Sequence, residues 1–173
     1  ILNEKMYKEF LSPTVLNDGS VTHYAKGITV TEDHGQTMIE HGGGINGFLT
    51  ENRYYPKEDL SIVVLINSTG PVAPGMIANH VADQILGSYV PAIKTYVGDL
   101  NKYIGTYEGR GRGEDIKVIV SKKDSNLVIR QEDKVTPLVF NHDDTWSLNS
   151  QQYIFKGDQL HIDQTYGFLI LKK

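Results

Sequence analysis

Cysteine is absent from all 173 residues. That excludes disulfides, thiolate metal sites and a cysteine nucleophile, and it says little about compartment. Long apolar runs are absent too. The longest, Ile62 to Ile66, falls far short of the ~18 residues that a membrane helix needs. No basic block is present and the net charge is -4, which argues against nucleic acid as the main partner. Proline is sparse at 6 residues and tryptophan occurs once, whereas glycine reaches 17 and tyrosine 10, a balance that leans toward strands and turns. There is no signal-peptide pattern, and the chain opens at Ile1 without a methionine, which suits a processed or truncated piece. With 39% hydrophobic and 22% charged residues, the composition is that of a globular protein with one or two small domains.

What the chain does have is one unusual stretch, Glu40-His41-Gly42-Gly43-Gly44-Ile45-Asn46-Gly47-Phe48. It lies between an apolar-alternating run at Thr37, Met38 and Ile39 and another from Phe48 to Tyr55. A glycine run between two strands is commonly a hairpin turn, and a lone histidine is commonly structural. The other reading is a strand that carries an imidazole and then exposes bare backbone, where a second molecule approaches closely and N–H groups stabilise an oxyanion.

Along the chain, residues 1 to 11 read as a short helix with Leu2, Met6, Tyr7 and Phe10 on one face. His23 to Thr31 and Gln36 to Gly42 read as strands joined by a tight turn at Glu32-Asp33-His34-Gly35, a hairpin. Gly47 to Tyr55 reads as a third strand. Leu60 to Asn67 is nearly continuous in apolar residues, which predicts burial on both faces at the centre of a helix-covered sheet. From Ala73 to Leu86 the period turns helical through Met76, Ile77, His80, Val81, Gln84 and Ile85, with Gly87 as a stop. Tyr96 to Tyr103 reads as one helical turn or two. Eight short strand signals follow in even spacing: Gly105 to Glu108, Ile116 to Ser121, Asn126 to Gln131, Lys134 to Phe140, Thr145 to Leu148, Gln152 to Phe155, Gln159 to Gln164 and Gly167 to Lys172. An antiparallel barrel or sandwich would cover their edges.

His41-Gly42-Gly43-Gly44-Ile45-Asn46-Gly47-Phe48, then Asn52-Arg53-Tyr54-Tyr55-Pro56, then Asp59 through Asn67, resemble the C-terminal section of the serine β-lactamase-like family. That family holds class C β-lactamases, penicillin-binding proteins and related esterases. Its third motif is Lys-Thr-Gly or His-x-Gly on an edge strand. The resemblance spans roughly residues 1 to 90. It implies a role for His41 beside a nucleophile, in orienting substrate and moving a proton. It implies Gly42 and Gly43 as the edge against which substrate lies, and the Gly44 N–H as an oxyanion donor. Leu100 through Gly105-Thr106-Tyr107 resembles the opening of the lipocalin-like domain often appended to such enzymes. The expected fold class is therefore α+β: residues 1–95 the C-terminal part of a β-lactamase-like domain, antiparallel strands with a terminal helix, and residues 96–173 a small all-β barrel.

The family's first two motifs do not follow. No serine has a lysine three residues on, and Ser147-Leu148-Asn149 is a chance match to the second motif because it lies after the third. The chain reads as a fragment of a serine hydrolase, inactive alone. Its partners would be a small-molecule or peptide substrate and a missing N-terminal part of the same protein. No cofactor, no nucleic acid and no membrane span are expected. The alternative is a non-catalytic binding or assembly module from a family member that lost its nucleophile. Family analogy alone suggests a periplasmic, secreted or cell-surface location. The six histidines show no metal-ligand spacing, and His142-Asp143-Asp144 is a turn by composition. Gly109-Arg110-Gly111-Arg112-Gly113 reads as a hairpin loop. Asp33, Glu40 and Glu58 show no paired-carboxylate spacing.

Overall fold

The computed structural model describes residues 2–90, 94–111, 113–131, 134–148, 151–164 and 167–173. Two compact units divide the chain, Ile1–Pro91 and Ala92–Lys173. The expectation of an α+β class built on a β-lactamase-like domain is overturned. Strands make up 54% and helices 16%, so the fold is mostly β. The physical reason lies in what the two α-helices do. The first, α1 (Glu4–Leu11), buries none of its residues. The second, α2 (Pro74–Leu86), packs on one face of one sheet.

In the first unit, β1 (Thr14–Val15) and β2 (Val21–Thr22) form a small ribbon. The main sheet has four antiparallel strands in chain order: β3 (Thr29–Asp33), β4 (Gln36–Ile45), β5 (Phe48–Tyr55) and β6 (Leu60–Ile66). Two-residue turns set the register. His34-Gly35 joins Asp33 to Gln36, and Asn46-Gly47 joins Ile45 to Phe48. Gly47 sits at φ 81°, the left-handed backbone that an Asn-Gly hairpin needs. The glycine run is thus strand, and the turn comes after it.

Here β6 departs from expectation. It is an edge strand, and its burial alternates. Ile62 and Val64 are buried, while Val63 and Leu65 are 60% and 74% exposed. Those two share an open face with Ile45 and Phe48, also exposed. On the covered face, α2 turns Ala78 and Ala82 inward, both fully buried, against Met38, Tyr55, Ile62 and Val64. The small side chains let the helix lie close to the sheet. Met76, His80 and Ile85, three of the residues that mark its helical period, are exposed.

The second unit follows a 3-10 turn at Leu100–Tyr103, capped by the Asp99 side chain. Nine antiparallel strands make a nearly closed barrel-like sheet. They are β7 (Gly105–Gly111), β8 (Glu114–Lys123), β9 (Asn126–Gln131), β10 (Lys134–Pro137), β11 (Val139–His142), β12 (Thr145–Leu148), β13 (Gln151–Lys156), β14 (Gln159–Gln164) and β15 (Gly167–Lys172). The last strand pairs with the first, and β10 and β11 are the two ends. The single expected strand Lys134 to Phe140 is broken at Leu138. Its side chain is buried, and its N–H donates to the Leu127 carbonyl at 2.9 Å. Pro137, which has no N–H, ends β10. The interior is filled by Tyr103, Tyr107, Trp146, Tyr153 and Phe155, and the rings of Tyr103, Tyr107, Trp146 and Phe155 meet edge-on or tilted. Gly109 and Gly111 belong to β7 rather than to a loop, paired with Ile116 and Glu114 of β8, and a Cβ at Gly109 would stand 2.9 Å from the Ile170 carbonyl. Arg112 and Asn149, named in the motifs above, lie outside the described residues. Among the described residues, no helix is long and apolar enough to cross a membrane.

Candidate functional site

Strand β4 is bounded differently along its length. From Gln36 to Glu40 it pairs with β3, whose last partner is Thr29 opposite Glu40. From Ile39 to Ile45 it pairs with β5 on its other side. The segment His41–Ile45 therefore runs past the end of β3. Strand β4 lies between β3 and β5 and is not the expected edge strand, although its second half has no β3 residue opposite it.

His41 is half-buried, and its Nε2 lies 3.3 Å from the Tyr24 hydroxyl. Asn52 stands opposite it on β5. Alternation places His41, Gly43 and Ile45 on the open face of the sheet. Gly43 lies across from Thr50, whose hydroxyl is 3.5 Å from the Gly43 carbonyl. A Cβ at Gly43 would come within 2.8 Å of that hydroxyl oxygen, so the bare backbone has a packing reason as well as a chemical one. Gly44 faces Leu49 in the same way, with 3.0 Å between a built Cβ and Leu49 Cδ2. All four residues singled out from the sequence, His41, Gly42, Gly43 and Gly44, thus stand in one extended row.

The covered face carries a cluster that the sequence reading passed over. Glu40 and Arg53 are directly opposite, and Glu51 is opposite Gly42, diagonal to Glu40. Arg53 Nε donates to Glu51 at 3.0 Å and lies 3.7 Å from Glu40 Oε2. Its Nη1 donates to Asn79 at 2.6 Å, and its Nη2 to the Gly75 carbonyl at 3.4 Å, both on α2. Burial would lower the guanidinium pKa, but Glu51 and Glu40 outweigh it and raise it. Burial, and then the Glu51 charge, push the Glu40 carboxyl up to about 7. A second polar contact joins the β3–β4 turn to α2. His34 Nδ1 lies 2.9 Å from Asp33 and its Nε2 3.0 Å from Asp83. Asp33 also accepts from the buried Tyr55 hydroxyl at 2.6 Å.

No family model and no curated protein matches the sequence. Solved structures do. A crystal structure of SurE with D-Leu superposes with a TM-score of 0.52 at 16% identity, covering 99% of this chain and 44% of SurE. A second SurE structure gives 0.52 at 17%, covering 99% and 43%. The chain shares a fold with SurE. At such identity nothing beyond fold follows, and the chain spans less than half of that protein's length. An octameric penicillin-binding protein homologue from Pyrococcus abyssi superposes at 0.44 and 19% identity, over 98% of this chain and 42% of that one, too loosely to carry an argument.

Chemically, the row offers an imidazole in contact with a phenol, followed by backbone without side chains. Imidazole and phenol can pass a proton, and an extended backbone can pair with a ligand's amide. Among the described residues, no group of three or more metal-ligating side chains comes together.

Proposed function

We propose that the chain is the C-terminal section of a serine hydrolase related to penicillin-binding proteins and β-lactamases. The reaction passes through an acyl-enzyme on an ester, a D-amino-acid peptide or a β-lactam. The nucleophile belongs to a part of the protein outside these 173 residues, because no Ser-x-x-Lys occurs among them. The observation that carries this reading is the row His41–Gly44, extended beyond the end of β3 with the Tyr24 hydroxyl at the His41 imidazole. In the proposed reaction His41 orients substrate and assists proton transfer. Gly42 and Gly43 form the edge against which the acyl donor lies, and the Gly44 N–H is one oxyanion donor.

The first test is a fluorophosphonate probe on this chain, read by intact mass. No adduct is expected. A stoichiometric adduct on any serine here would mean that the chain activates its own nucleophile, and the reading fails. In the full-length protein, His41→Ala should lower turnover by roughly 10²-fold or more. Unchanged turnover would remove His41 from the mechanism. A D-leucine ester is the first substrate to try, since SurE was crystallised with D-Leu.

A further inference from the structure

We propose that Glu40 and Glu51 share one proton as a carboxyl–carboxylate pair, and that this proton positions the His41–Gly44 segment of β4 on β5. The side chains of Glu40, Glu51 and Arg53 are 8%, 13% and 8% exposed. Arg53 turns both terminal nitrogens toward α2, to Asn79 and to the Gly75 carbonyl. Its Nε faces the carboxylates and is given to Glu51, with Glu40 farther off at 3.7 Å. Two ionised carboxylates against one guanidinium would leave a buried net negative charge, which a retained proton cancels. Glu40 is the partner farther from the cation and is the one to keep it, in line with a carboxyl pushed up to about 7 by burial and Glu51. Protonated, Glu40 donates to Glu51. Deprotonated, the two repel across the ladder.

The place where they repel matters. Glu40 is the last β4 residue paired with β3, and Glu51 is the cross-strand partner of Gly42. Beyond that point, among the named strands, β5 alone holds β4. Repulsion there loosens the register of His41, Gly43 and Gly44 directly. The charged groups facing Glu40 are Glu51 and Arg53 from β5 and Asp33 from β3. From α2 the cluster meets the uncharged Asn79 side chain and Gly75 carbonyl. The positioning role in catalysis rests on the reading of β4 given above, whereas the shared proton does not.

The test follows amide shifts of Gly43 and Gly44 in the ¹⁵N-labelled chain from about pH 5 to 9. A transition with its midpoint near 7 is expected. It should persist in His41→Ala, which removes the neighbouring imidazole, and vanish in Glu40→Gln. Glu51→Gln keeps Glu40 ionisable but removes its repulsion, so the midpoint should fall by about one unit or more. A transition that survives Glu40→Gln, that disappears in His41→Ala, or that stays unmoved in Glu51→Gln overturns the proposal. A serine adduct in the probe experiment would instead sink the hydrolase reading and leave this result untouched.

Discussion

Arg53 is the residue on which the covered face of the first unit depends. Among the described residues it is the cation paired with Glu40 and Glu51, and it also holds Asn79 and the Gly75 carbonyl of α2. Replacing it by Met leaves two carboxylates buried without their partner, so Arg53→Met should destabilise the first unit by about 3–5 kcal/mol, read by denaturant titration at neutral pH. Glu40→Gln acts in the opposite direction, and its sign depends on pH. The folded Glu40 keeps its proton up to about 7, whereas the unfolded chain releases it near the ordinary 4.5. The native state binds the extra proton in that window, so stability falls as pH rises through it. Glutamine mimics the protonated form. The variant should match the parent near pH 4 and exceed it by up to about 3 kcal/mol near pH 8. This cluster was within reach of the sequence. Asn-Gly is a strong hairpin signal, and counting outward from Asn46-Gly47 pairs Glu40 with Arg53 and Gly42 with Glu51. Placing Gly47 inside the strand hid that register, and with it the paired carboxylates.

At the scale of elements, strands were easier to read than their surroundings. The bounds of β5 and β9 follow the apolar and turn pattern within a residue, and α2 begins at the proline that suits a first helical turn. What failed was burial. An apolar run such as Leu60 to Ile66 states that a strand forms; it does not state what lies on each side. The structure leaves Val63 and Leu65 exposed, and it turns Ala78 and Ala82 of α2 fully inward, with the larger Ile77, Val81 and Leu86 only partly buried beside them. Such information comes from long-range packing that no local window contains. The break between β10 and β11 has the same origin. At Leu138 the chain changes partners: its N–H still reaches the Leu127 carbonyl in the β9 register, its side chain fills the barrel core, and the next residue, Val139, pairs with Ser147 of β12. Leu138→Ala removes that filling and should destabilise the second unit by about 2–4 kcal/mol, measured by the fluorescence of Trp146, the single tryptophan. A loss near zero would mean that β10 and β11 are held by backbone pairing alone.

For the molecule as a whole, the two units differ in how they carry charge, and this makes a prediction that separates them. In the first unit, two buried groups respond in the same direction. Burial opposes protonation of His34, but Asp33 and Asp83 outweigh it and raise its pKa above 6.5. Its contribution is fully present below the unfolded value and is lost as pH rises through the raised one. Glu40 loses its proton over the same neutral range. In the second unit, the displaced groups titrate elsewhere. Burial raises Tyr103, Tyr107 and Tyr153, so the phenols stay neutral, and the Tyr103 hydrogen bond lowers Asp144, so that carboxyl stays ionised. Native-state amide exchange, corrected for intrinsic rates, should therefore lose protection in β3–β6 between about pH 5 and 8 and stay level in β13–β15. The double substitution Glu40→Gln with His34→Asn should flatten the first response without touching the second. Equal loss in both units would mean that the pH dependence arises from groups other than Glu40 and His34, and the charge arrangement behind the His41 strand would then lose its energetic meaning.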